Sequence, residues 1–126
     1  MKRLITAVVF IFIGTAIAVF GYFNLRSICS EMNDSLTELI KYAESEDKDA
    51  TQDAAKYAKG KWDKKNSLLG VYTNHSEMDE LQIIMKDLNR LADEENYEDL
   101  IEDCYECIYH FEHIRETETP GLGNVF

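Results

Sequence analysis

Lys2 and Arg3 lead into Leu4 to Phe23, an uninterrupted uncharged run rich in Ile, Val, Phe and Ala, and this run constrains the chain more than any other feature. As a helix rising ~1.5 Å per residue it reaches ~30 Å, the thickness of a bilayer's hydrocarbon core. A secretory signal is the competing reading, because Ala16-Ile17-Ala18 passes for a small-residue cleavage site. The apolar run, however, continues through Val19, Phe20, Tyr22 and Phe23, so a cut after Ala18 would leave a greasy new terminus, and an uncleaved anchor is the expectation. Cys29 raises lipoprotein processing, but Ile28 stands before it where a small residue is needed and Arg26 where an aliphatic one is. The positive flank and the N-terminal amine favour the cytoplasmic side. The expected arrangement is a single pass through the cell membrane, bilayer contact through residues 4–23, the N-terminus cytoplasmic and the remainder extracytoplasmic.

Beyond Asn24 the chain has almost no helix breakers, since its one proline is Pro120, and helix is the natural class. Leu25, Ile28, Met32, Leu36, Leu39 and Ala43 step by three and four residues, one apolar stripe on a helix that continues the membrane segment. Glu44 to Asp47 ends it and offers Asp47 or Asp49 as cap for a second helix carrying Ala50, Ala54, Ala58, Trp62 and Leu69. Gly70 to Asn74 reads as a turn, and Ser76-x-x-Asp79 as a capping box before a third helix with Met78, Leu81, Ile84, Met85, Leu88, Leu91 and Ala92 inward. Glu94-Glu95-Asn96 breaks it, and Asn96-x-x-Asp99 caps a fourth with Tyr97, Leu100, Ile101, Cys104, Ile108, Phe111 and Ile114 inward. Short turns between such helices imply antiparallel neighbours, as in bundles and stacked hairpins. The expected fold is therefore all-α, an anchor over residues 1–24, an acidic domain of about four amphipathic helices over 25–116 and a tail over 117–126, whose Val125 and Phe126 are candidates to dock on the helices.

At 126 residues the part after the anchor is one domain at most. That part holds all 24 acidic residues and 11 of the 13 basic ones, which argues against nucleic acid as a partner because like charges repel. Three cysteines, Cys29, Cys104 and Cys107, make an odd count that does not read as a disulfide framework and leaves at least one thiol free or paired between chains.

Trp62, the stretch Asn74-His75-Ser76-Glu77-Met78-Asp79, the helix end His113-Ile114 and the terminal Leu122-x-Asn124-Val125-Phe126 resemble domain of unknown function family 4363 across nearly the whole chain. The family's motif is an Asn-His-Ser-Glu stretch followed by an acidic residue, filled here by Asn74, His75, Ser76, Glu77 and Asp79. Gly60 before Lys61-Trp62 and the pair Cys104-x-x-Cys107 depart from it, so any thiol role would be private to this protein. The resemblance implies a short cell-membrane protein of the kind found in Gram-positive anaerobes, and it implies no activity.

Cys104-x-x-Cys107-x-x-His110-x-x-His113 has the residue types zinc prefers, but on a helix Cys104 and His113 end about half a turn apart and cannot close on one ion. One buried cysteine with polar histidines on a helix flank is the expected reading. His75, Glu77, Asp79 and His113 form a better cluster, because antiparallel third and fourth helices bring the start of one beside the end of the other. Such a group would hold a divalent ion or relay protons, or else form a hydrogen-bonded clasp at the helix ends. The clasp is expected, with His113 within reach of His75 or Glu77. Lys56, Lys59, Lys61, Lys64 and Lys65 face either solvent, a partner, or the acids Glu98, Asp99, Glu102, Asp103 and Glu106. Trp62 is expected as a core anchor. No nucleophile–base pair, phosphate loop or cofactor motif occurs, so the expected function is a non-enzymatic interaction module for another membrane or envelope protein. The alternative is a metal- or pH-responsive sensor using the histidine cluster.

Overall fold

The computed structural model describes residues 1–117, and within them every regular element is a helix: α1 (Lys2–Glu44), α2 (Lys48–Tyr72), α3 (His75–Asp93) and α4 (Tyr97–Thr117). The expected tail, with Leu122, Asn124, Val125 and Phe126, lies outside the described residues after Thr117. Residues 2–44 form one helix of 43 residues because no Pro occurs in them and only Gly14 and Gly21 interrupt the apolar run. Residues 2–20 of it are exposed, Leu4, Phe10, Ile11 and Phe12 between 69% and 77%. From Leu25 onward the same helix becomes one wall of a four-helix bundle, with α1 and α3 each flanked by α2 and α4.

The apolar stripes decide which faces meet. Leu25, Ile28, Met32, Leu36, Leu39 and Ala43 on α1 and Leu81, Ile84, Met85, Leu88, Leu91 and Ala92 on α3 are all buried, as their spacing requires. On α2 the buried line is Thr51, Ala55, Ala58, Trp62 and Leu69, so Ala50 and Ala54 sit at its edge rather than on it. Trp62 is fully buried; its indole N–H donates to Gln82 Oε1 at 2.7 Å, and its ring meets Phe111 edge-on, 6.0 Å between centroids. That contact crosses the bundle diagonal and ties α2 to α4. Because those two helices are diagonal, the α2 lysines and the α4 acids do not face each other. Lys59 instead pairs with Asp63 on its own helix, and Lys61 lies 3.9 Å from Glu31 on α1.

Two turns are built alike. After α1 the N–H of Glu46 bonds to Ala43 and that of Asp47 to Tyr42; after α3 the N–H of Glu95 bonds to Ala92 and that of Asn96 to Leu91. These are Schellman closures with a glutamate, φ 55° and 57°, where glycine is usual. Asp47 and Asn96 then cap the next helix through the N–H groups of Ala50 and Asp99. The middle turn departs from expectation. Gly70 is helical, since α2 continues until Leu69 is buried and Tyr72 rests on α1, and only Thr73 and Asn74 connect it to α3. The cap of α3 is Asn74, whose side chain accepts from the N–H of Glu77 at 2.8 Å, which moves the start two residues ahead of Ser76.

Candidate functional site

Glu77 is the third residue of α3, and the Asn74 cap fixes its backbone there. A glutamate at this position commonly reaches back to the cap's own N–H; this one crosses to α4 instead. His110 and His113, three residues apart and hence neighbours on one face of α4, both direct Nδ1 at it, His110 at 3.0 Å from Oε1 and His113 at 3.0 Å from Oε2. The second nitrogen of His110, Nε2, lies 3.2 Å from Glu80 Oε2. Carboxylate oxygens therefore stand beside both ring nitrogens of His110, an arrangement that a ring carrying both N–H groups would satisfy. Tyr109 stacks on His113 with rings 12° apart and meets His110 edge-on. Asn74, Ser76, Glu77, Glu80, Tyr109, His110 and His113 together line a shallow hollow of about 370 Å³.

Of the residues picked out by sequence, Glu77 and His113 therefore meet. His75 and Asp79 are exposed on the first turns of α3, away from the pair, while Asn74 acts as cap and Ser76 as part of the wall. The contact binds side chain to side chain rather than shielding backbone groups, since Asn74 already serves the helix end. Sequence reading named His110 only within the cysteine–histidine string and did not place it, or Glu80, in this cluster. The signal was present: a tight turn about Glu95 pairs residues equally distant from it along the chain, which sets 113 beside 77 and also 110 beside 80. Among the described residues no group of three or more His, Cys, Asp or Glu side chains has the geometry to hold a metal ion.

The Glu77 side chain is only 11% exposed, that of His110 10% and that of His113 46%. Glu77→Ala strands a buried imidazole and should lower the unfolding free energy by about 1 to 3 kcal/mol, read as a shift of the denaturant midpoint. His113→Ala should cost less than His110→Ala, because its ring stays wet. Zinc or a chelator should leave all these midpoints in place; a zinc-dependent rise would mean that the cluster holds an ion after all.

The thiols belong to the core. All three cysteines are buried and unpaired, so Cys107 joins Cys104 inside where a single buried cysteine was expected. The reason is the line Leu100, Cys104, Cys107, Phe111 and Ile114, which turns Ile101 and Ile108 to its edge and contacts α3 through Cys107 Sγ, 3.8 Å from Met85 Sδ. Burial pushes Cys29 up to about 11 against the pull of Arg115, and Cys104 up to about 12 with help from Asp103. Cys107 is raised by the same burial and by Cys104, Asp103 and Glu106. A thiol raised in the folded state contributes stability in full below its unfolded value, here 9.0, and loses it as pH climbs toward the folded value. Urea midpoints should hold up to about pH 9 and fall between there and pH 12, more steeply in the parent than in Cys104→Ala. Equal slopes would mean that the thiol ionises as easily folded as unfolded.

The fold and this site define a class: a small helical bundle grown on a long apolar helix, with a histidine–carboxylate contact where α3 begins and α4 ends. The chain belongs to the family described as Domain of unknown function (DUF4363), whose profile matches residues 19–125. The matched region takes in the bundle and the last turn of the apolar run. Searches of curated proteins and of solved structures returned no match.

Proposed function

We propose that this protein is a single-pass membrane protein whose bundle stands on the outer face of the cell membrane and binds another membrane or envelope protein, without catalysis of its own. One observation carries the reading: the first part of α1 is the one described helix long and apolar enough to cross a membrane, its most apolar 18-residue window being 6% buried. A soluble protein's core helix of that hydropathy is covered by its neighbours, whereas this one holds its apolar side chains clear of the bundle. The interaction role draws on the acidic face. Burial and the nearby Glu106, Asp87, Asp99 and Glu102 hold Asp103's carboxyl above the usual range. Such crowding of like charge is unfavourable in an isolated bundle and is relieved by a cationic partner surface.

Crosslinking in native membranes, followed by identification of the captured proteins, tests the partner. Fractionation tests the anchor: intact chain in the membrane pellet with a protease-accessible C-terminal tag is expected. Recovery in the medium with an N-terminus near Val19 would refute it. A proton-responsive contact is the second reading, favoured by His110 between Glu77 and Glu80. It expects two protected ring N–H signals for His110 in nitrogen-resolved spectra, and a single one would end it.

A further inference from the structure

The end of α2 leaves the bundle's core and meets α1 inside the uncharged run. The Tyr72 ring lies against the backbone of Gly21, so closely that a Cβ there would come within 2.8 Å of its hydroxyl and 3.1 Å of its ring. Only the absent side chain permits the approach. The register agrees, since Gly21 and Tyr72 are almost equally distant from Glu46 at the α1–α2 turn. The corner between α2 and α3 therefore stands level with the last turn of Leu4 to Phe23. At this corner two aliphatic side chains are exposed, Leu68 at 37% and Val71 at 75%, and the turn of α1 that carries Gly21 also exposes Phe20 and Phe23, at 73% and 62%.

We infer that Leu68, Val71 and Tyr72 seat in the lipid interface of the leaflet from which the bundle emerges, so that the bundle rests on the bilayer instead of standing off it. This rests on the reading of α1 as a membrane span. The occupant is lipid because the exposed patch is continuous, through the Tyr72–Gly21 contact, with the surface that the span turns to the hydrocarbon. Chemistry changes with height as an interface requires. Tyr22 and Tyr72 lie where the acyl region gives way to headgroups, the level that aromatic rings with a polar tip prefer. Arg26, which donates to the Tyr22 hydroxyl at 2.9 Å, comes about one turn higher, and Lys64 and Lys65 about two turns above Tyr72. Their long side chains can reach down to lipid phosphates. In a bundle that is acidic elsewhere, residues 59–72 hold four lysines and one aspartate, so the patch matches an anionic leaflet in charge as well as in apolarity.

Site-directed fluorescence on the full chain in phosphatidylcholine–phosphatidylglycerol vesicles decides it. The three native thiols are buried, so a polarity-sensitive dye can be attached selectively to Val71→Cys, to Phe12→Cys within the span and to Asp49→Cys at the far end of the bundle. The dye at positions 71 and 12 should lose most of its emission to brominated lipid and little to aqueous iodide, with the reverse at 49. Iodide quenching at 71 equal to that at 49, with 12 still quenched by lipid, overturns the seating and leaves the span intact. A dye at 71 shielded from both quenchers overturns it in favour of protein cover. Absence of lipid quenching at 12 removes the span and the seating together.

Discussion

Leu88→Asp should abolish cooperative unfolding of the bundle. Leu88 is fully buried on the inward line of α3. An unpaired carboxylate there must either stay charged in an apolar core or take up a proton, and either costs several kcal/mol against a typical total of ~5 to 15. Helicity of the full chain in detergent should then decline gradually on heating, without a sigmoid. Leu88→Ala separates charge from volume: it should keep a sigmoidal melt while losing about 2 to 5 kcal/mol. If Leu88→Asp melts like the parent, α3 does not face the core.

Trp62→Ala should be nearly as damaging. The indole is the largest fully buried side chain and joins three elements, its own α2, α3 through Gln82 and α4 through Phe111. Removing a buried aromatic costs about 3 to 5 kcal/mol through lost transfer and the cavity left behind, and the Gln82 carbonyl loses its donor as well. Trp62→Phe should recover most of the packing without the hydrogen bond. The gap between Ala and Phe variants, read from denaturant midpoints, therefore reports the diagonal contact. A midpoint unaffected by Trp62→Ala would place the ring outside the core.

The acidic face and the histidine cluster are separate features of α4. Asp103 and its acidic neighbours crowd like charge beside α3, which a cationic partner surface of the kind proposed above would ease. The cluster lies at the other end of the helix, near the α2–α3 corner and hence near the apolar run. If the bundle rests on lipid there, His110, between Glu77 and Glu80, sits close to the headgroups.

Periodicity and capping chemistry made most of the fold readable from the chain alone. The step of three and four residues from Leu25 to Ala43 needs no tertiary information to predict a helix with one buried face, and the lack of any breaker before it predicts that the membrane run continues into that helix. Two helix starts were legible, at Asn96 and at Asp47 or Asp49, because such side chains can accept a backbone N–H wherever the chain goes next, and the structure selects Asp47. The length and apolarity of Leu4 to Phe23 likewise follow from composition. Contacts across helices decided the rest. Whether the third helix is capped by Asn74 or Ser76, and whether Gly70 bends or stays helical, goes with a contact between helices, since α2 runs on to Tyr72, which rests on Gly21 of α1. Cys107 went inside because the bundle buries a broader strip of α4 than the narrow stripe predicted. Glu77 and His113 were legible as neighbours from antiparallel geometry, but His110 lay on the border between faces, and only the closeness of α3 to α4 turned it toward two carboxylates instead of water.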